Sequence, residues 1–304
     1  MNWLKYKKYY LLFSSILIMV SAYGLVVWGL KLGVDFKGGA VIEYKFNREI
    51  SSEDLTKKLE AGGFEITAVQ LTSDNTYIIK MPSVDETAKV KIASLAGELL
   101  SENTDTMLGV EELRFENVGP SIGSELVRKT FYAVILAAIG ILFWVAYQFK
   151  SIKYGISAIL AMFHDSFILV GAFSVLGHFL RSEVDFLFVT ALLTTLSFSV
   201  HDTIVVFDRI RELKKKEGGT IEEISNRALT ETMVRSLNNS FTIIFMLISL
   251  ILLGGTTVKW FAVALLIGTM LGTYSSPFVA VPLLISWDNV MSYFKGKVVS
   301  YRQK

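Results

Sequence analysis

Six apolar blocks constrain this chain more than any other feature: residues 11–30, 131–149, 154–180, 186–207, 238–253 and 260–286. About 20 apolar residues at helical rise cross the hydrocarbon core of a bilayer, so each block is expected to be a membrane-spanning helix. The chain is 52% hydrophobic and 19% charged, with a mean hydropathy of +0.48, and the excess sits in these blocks. A soluble domain carries about a quarter charged residues.

Six spans place both termini on one side, and the short loops say which. Lys5, Lys7 and Lys8 precede the first span, and Lys150 and Lys153 separate the second and third. Arg209, Arg211 and Lys214 to Lys216 follow the fourth span, and Lys295, Lys297 and Arg302 follow the sixth. The opposite side receives Arg181 and Lys259. Positive charge marks the cytoplasmic side, so both termini are expected there, in a multi-pass membrane protein. Val20-Ser21-Ala22 resembles a signal-peptide cleavage site, but the apolar run continues through Trp28 and Leu30, so it is read as an uncleaved anchor. With no cysteine there is no disulfide framework and no thiolate metal site. The net charge of +2 comes from loop clusters and gives no stripe for nucleic acid.

The expected organisation is a terminus and first span (1–30), an outside domain (31–130), spans two to four (131–207), a cytoplasmic amphipathic loop (208–237), and spans five and six with a basic tail (238–304). Within 31–130, AVIEYKF (40–46) alternates like a strand, and SSEDLTKKLEAGGF has serine N-caps and a Gly62-Gly63 stop. EITAVQL and TYIIKM form a hairpin around Ser73-Asp74-Asn75, residues 84–103 form a second helix, and LGVEELRFENV forms a last strand. Strand, helix, strand, strand, helix, strand is the order of a small α+β ferredoxin-like domain. Gly33, Gly38 and Gly39 lie between a span and a strand, the wrong context for a phosphate loop, and are read as chain-turning glycines. Nothing in this domain looks catalytic.

Ionisable residues inside spans are rare and point to function. Here they are His164-Asp165 in span three and His201-Asp202 in span four, with Arg235, Asn238 and Asn239 at the start of span five. At about 100° per residue, Thr195, Ser199, Asp202 and Thr203 share one face of span four while His201 points elsewhere. Asp202 lies six residues before Asp208, about 9 Å deeper at helical rise. It is read either as a proton carrier answered by Arg235, or as a hydrogen-bonding residue between helices. Arg235 is equally compatible with an interface anchor. Adjacent His and Asp diverge on a helix and do not chelate as a pair, so neither a metal nor a cofactor is expected.

The loop after span four starts DRIRELKKKEGG, the charge run serving as a positive-inside anchor. Thr220 and Glu223 form a capping box for a helix whose Ile221, Ile224, Ala228 and Met233 suggest a position along the membrane surface. Gly268, Gly272 and Ser276 in span six are spaced for close helix approach, and Pro277 and Pro282 are expected to kink or break it.

GVDFKGG after span one, ENVGPSIGSEL before span two, HDSFILVGAFSVLG in span three and SFSVHDTIVVFDRIRE in span four closely resemble the SecD/SecF family of protein-export membrane proteins, on its SecF side. The resemblance covers the chain in order. It implies a six-span subunit of the resistance-nodulation-division type, pairing with SecD and associating with SecYEG. Together they would use the proton-motive force to complete translocation of polypeptide substrates. It places the family's membrane acid on Asp202 and its arginine on Arg235; His201, Ser199 and Thr203, which lie near the acid in this sequence, complete the expected proton-coupling set. His201 stands where the family commonly has asparagine, and Val234-Arg235-Ser236 where it usually reads Ser-Arg-Thr. A proton-coupled small-molecule exporter is the alternative, which about 100 residues outside the membrane are too few to serve as a vestibule.

Overall fold

The computed structural model describes residues 2–72, 75–100, 110–216 and 218–287. The chain forms two units, Leu32–Phe131 and the remainder, Met1–Lys31 with Tyr132–Lys304.

The smaller unit opens with a single helical turn, and its glycines do what the sequence predicts. Helix α2 (Val34–Lys37) ends at Gly38, and Gly38 and Gly39 take φ of 79° and 128°, a region that side chains resist. Strand β1 (Gly39–Phe46) follows, then α3 (Ser52–Ala61), whose Ser51 hydroxyl accepts from the Glu53 amide at 3.2 Å. Strands β2 (Ala68–Leu71) and β3 (Thr76–Met81), helix α4 (Glu86–Glu98) and β4 (Val110–Val118) complete the unit. Sheet order is β2-β3-β1-β4, antiparallel throughout, which is the ferredoxin-like arrangement. Ile42, Tyr44 and Phe46 of β1 pack with Tyr77 and Ile79 of β3 and Leu55, Leu59 and Ile92 of the two helices. Ser73 and Asp74 of the expected turn, and residues 101–103 and 108–109 of the expected second helix and last strand, lie outside the described residues. Gly123 ties the two glycine-containing motifs together: a Cβ there would sit 2.5 Å from the Phe36 carbonyl oxygen.

Among the described residues six helices are long and apolar enough to cross a membrane. They are α1 (Lys7–Val27), α5 (Pro120–Phe149), α6 (Ile152–Leu180), α7 (Phe186–Lys216), α8 (Ile221–Leu253) and α9 (Thr256–Ser275), the last continuing through a π turn at Ser276–Ala280 to residue 287. In the larger unit α6, α7 and α9 form the centre, while α1 and α8 keep wide exposed faces. The spaced small residues act as the sequence predicts. A Cβ on Gly268 would fall 2.0 Å from Thr195 Cγ2 of α7, and one on Gly171 of α6 would fall 2.1 Å from Ser21 Cβ of α1. Backbones thus approach where side chains are smallest.

One expectation needs correction. Residues 208–237 are not a loop with a separate surface helix. α7 runs on through Lys216, and α8 starts at its Thr220–Glu223 capping box and continues without a break to Leu253. Two residues of the expected stripe, Ile224 and Ala228, are buried and pack with Leu229 in one core with Phe207, Ile210, Leu213 and Leu284, while Ile221 and Met233 are partly buried. Charged side chains obscured this in the sequence, because they line the outer faces of two helices whose inner faces meet. Arg209 of α7 pairs with Glu231 of α8 at 2.5 Å and with Glu212 on its own helix, and Arg211 donates to the Gln148 carbonyl at 2.9 Å. For α9, the two alternatives at Pro277 narrow to one, since the helix is distorted there but not broken. The π turn accommodates the ring, and the last span stays continuous. The basic tail, with Lys295, Lys297 and Arg302, lies outside the described residues.

Candidate functional site

The site is organised around α7, which divides its polar residues between two neighbours. Thr195, Ser199 and Thr203 recur at four-residue spacing and are all buried. Asp202, set off by one residue from that stripe, is half-buried and turned toward α8. The single polar face expected from the sequence therefore serves two adjoining sites, one toward α6 and one toward α8.

On the α8 side the Ser236 hydroxyl donates to Asp202 Oδ2 at 2.7 Å. Beside it is a cavity of about 10 Å³ lined by Asp202, His201, Asn239, Ser240, Thr269 and Thr273, about enough for one water. Ser240 and Thr273 join α8 to α9 through their hydroxyls at 2.6 Å. His201 is exposed yet shares this cavity with Asp202, so the two neighbouring residues straddle a groove instead of diverging from it. Asn238 and Asn239 are exposed as well.

Arg235 is not the partner of Asp202 in this conformation. It is exposed, makes no ion pair among the described residues, and lines a separate cavity of about 580 Å³ with Asp208, Arg209, Glu212 and Glu231. Its neighbour Ser236 occupies the place the sequence assigned to it, because adjacent positions on α8 point about 100° apart. Ser236 is the residue that sequence reasoning missed here. A hydroxyl next to an arginine gives little signal beside the charge.

On the other side of α7, Asp165 of α6 is 5% exposed and receives three polar contacts. Ser199 donates to its Oδ2 at 2.7 Å, Ser275 of α9 donates to the same oxygen at 2.6 Å, and His164 Nδ1 lies 2.9 Å from Oδ1. Thr203 and Ser276 hydroxyls meet at 2.9 Å, and Ser276 also reaches the Gly272 carbonyl at 2.9 Å. The network pins α6, α7 and the π turn of α9 at one level. Nearby, Tyr274 donates to the Tyr10 carbonyl at 2.7 Å and lies 3.1 Å from the Ser14 hydroxyl, adding α1. The sequence identified His164, Asp165, Ser199 and Thr203; Ser275 was hidden by its ordinary composition. Among the described residues no group of three or more acidic, His or Cys side chains could hold a metal ion.

A polar site inside a six-helix bundle, joined to a ferredoxin-like unit, narrows the field, and family comparison decides it. Residues 99–290 match the model described as "Protein export membrane protein SecD/SecF, C-terminal", and residues 23–49, which include Gly38 and Gly39, match the "SecD/SecF GG Motif". The chain belongs to the SecD/SecF family. The protein translocase subunit SecF of Thermobaculum terrenum is 43% identical over 296 residues, covering 92% of each chain. The protein of the same description from Anaerolinea thermophila is 35% identical, covering 93% of each. The crystal structure of SecDF, a translocon-associated membrane protein, from Thermus thermophilus matches with a TM-score of 0.79 at 30% identity. It covers 95% of this chain, which spans 39% of that longer one. SecD/SecF relatives of this length and coverage are protein translocase subunits, so the six helices belong to a multi-pass protein-transport component.

Proposed function

We propose that this chain is a SecF-type subunit of Sec protein export that works with a SecD-type partner and SecYEG, using the proton-motive force to promote polypeptide translocation. Both termini face the cytoplasm of a bacterial inner membrane, and the subunit acts by movement, not as an enzyme. The proton is taken up and released at Asp202. The observation that carries this reading is the setting of Asp202: a half-buried carboxylate at membrane depth with one hydroxyl donor, no ion pair among the described residues, and space beside it for a water. A charge held that way is costly in lipid and suits a group that loads and unloads protons.

The partner is supported by what α7 and α8 leave open. His201, Asn238 and Asn239 are exposed at the level of Asp202, and lipid offers such groups no hydrogen bonds. A second helical bundle covering that strip satisfies them, and a SecDF protein of Bacillus subtilis, 33% identical and matched over 37% of its length, has the two names joined in one chain. Arg235 enters the cycle in a conformation other than this one.

The test is Asp202→Asn, followed as release of a secreted precursor from inverted vesicles under an imposed proton gradient. The gradient-dependent release is expected to vanish while the partner still co-purifies. Release at the wild-type rate would remove Asp202 from proton coupling.

A further inference from the structure

Helix α8 runs unbroken from Ile221 to Leu253, so its first turns and Ser236 rotate as one body. The segment ahead of α1 grips those first turns. It is a 3-10 helical turn, Trp3–Tyr6, and the Asn2 side chain that starts it accepts from the Lys5 amide at 3.2 Å. The Trp3 amide donates to Asn226 Oδ1 at 2.6 Å, and the Trp3 indole Nε1 donates to Thr230 Oγ1 at 3.1 Å. Asn226 and Thr230 are one helical turn apart and share a face of α8.

The grip has a firm support. Leu4 is 2% exposed and belongs to the same core as Ile224, Ala228 and Val281. The Trp3 ring lies 6.3 Å from that of Phe278 in the π turn of α9, and Phe278 is 4.1 Å from the ring of Tyr10 on α1. Lys7 also pairs with Glu222 at 3.1 Å, but both side chains are well exposed and the pair adds little.

These contacts fit one rotation of α8 and no other. Turning the helix by one residue, about 100°, carries each Cα about 3.5 Å round the axis and its side-chain tip further. Neither hydrogen bond of Trp3 survives that displacement. Arg209 can follow Glu231 through such a turn on its long side chain. Trp3 cannot follow Asn226 in the same way, because the donor is a backbone amide on an anchored turn. The register held here is the one in which Ser236 meets Asp202 and Arg235 faces away.

We propose that Trp3 is a positioning residue for the site: with Asn226 and Thr230 it forms a clasp that holds α8 in the register presenting Ser236, and not Arg235, to Asp202. The clasp acts at a distance, since Thr230 lies six residues, about 9 Å along the axis, from Ser236. Opening it frees α8 to turn. The proposal rests on the part given to Asp202 above and adds the element that chooses between its two neighbours on α8.

The test reads register alone and uses neither precursor nor proton gradient, so it fails or succeeds apart from the export role. Ser240 of α8 and Thr273 of α9 are in hydroxyl contact at 2.6 Å, and the chain has no cysteine. Ser240→Cys with Thr273→Cys therefore reports this register, and Asn239→Cys with Thr273→Cys reports the turned one, with Asp202, Arg235 and Ser236 intact. Disulfide closure is scored in the full chain with its partner in vesicles, as the fraction of unfolded chain that no longer takes polyethylene-glycol maleimide. Asn226→Leu with Thr230→Val removes both acceptors of the clasp. It is expected to lower closure of the 240–273 pair several-fold and to raise closure of the 239–273 pair. Thr230→Ser keeps its acceptor and is expected to leave both yields as they are. Unchanged yields in the double variant overturn the proposal. A fall at 240–273 with no rise at 239–273 overturns it as well, because that is general loosening. If the double variant is not recovered folded, Thr230→Val alone, of nearly equal volume, is expected to shift both yields in the same directions; no shift overturns the proposal.

Discussion

Ser236 of α8 donates to Asp202 of α7 at 2.7 Å, and the residue before it, Arg235, faces a different cavity. Adjacent helical positions differ by about 100°, so turning α8 by one residue exchanges a neutral donor for a permanent cation. Under the proposed function the carboxylate then has two states: hydrogen-bonded by Ser236, as here, or paired with Arg235.

The exchange predicts a state-dependent cross-link. The chain has no cysteine, so a Cys pair replacing Asp202 and Ser236 reports this conformation without background. Because that pair removes the acid, a second test keeps it. Ser236→Ala in an otherwise unchanged chain removes the hydroxyl donor and is expected to slow precursor release by about 10- to 100-fold, as loss of a hydrogen bond to a charged group costs about 1.5–3 kcal/mol. Ser236→Thr restores it. Equal rates for all three proteins would make Ser236 a bystander.

Arg235→Met is expected to stop gradient-driven release, with co-purification of the partner unchanged, because no neutral side chain can answer Asp202 in the second state. Normal release by Arg235→Met would reduce the residue to an interface anchor.

The α7–α9 contact predicts a specific rescue. Gly268→Ala places a Cβ about where Thr195 Cγ2 now lies, 2.0 Å away by ideal geometry, and overpacking costs typically about 1–3 kcal/mol. Thermal unfolding of the complex should shift down. Adding Thr195→Ser removes the nearest atom but leaves Thr195 Cβ at 2.6 Å, so recovery is expected to be partial. Full additivity of the two substitutions would show that these side chains do not meet.

Much of this molecule is written in short-range pattern. The apolar blocks gave the six helices because lipid leaves the backbone few options. Ser51, Gly62 and Gly63 gave the ends of α3, and Thr220 with Glu223 gave the start of α8, because caps are satisfied within a few residues. Legibility failed where the answer depended on a neighbouring helix. The charges of Arg209 and Glu231 look solvated in sequence, yet they pair across α7 and α8. The wheel put Ser199 and Asp202 on one face, but that face is wide enough for α6 and α8 to take one residue each. Ser236 and Ser275 carry no periodic or charge signal at all; only the packing of α8 and α9 makes them donors.

The last prediction concerns pH and the smaller unit. Asp85 caps α4, accepting from the Ala88 amide at 2.7 Å and the Thr87 hydroxyl at 2.8 Å. The Ala88 amide and then the Thr87 hydroxyl hold its carboxyl below the usual carboxylate range. A carboxylate depressed in the folded state stabilises above its unfolded range, and that contribution is lost as pH falls through the folded value. Hydrogen-exchange protection of the Ala88 and Lys89 amides should therefore drop in acid while the β1–β3 ladder holds. Glu112 is a second carboxylate against the same helix, paired with Lys89 at 2.8 Å, so a control is needed. Asn is as good an N-cap as Asp but does not ionise. Asp85→Asn is expected to keep α4 protected and flatten the pH response; if the acid response survives that change, Glu112 and not the cap is its source.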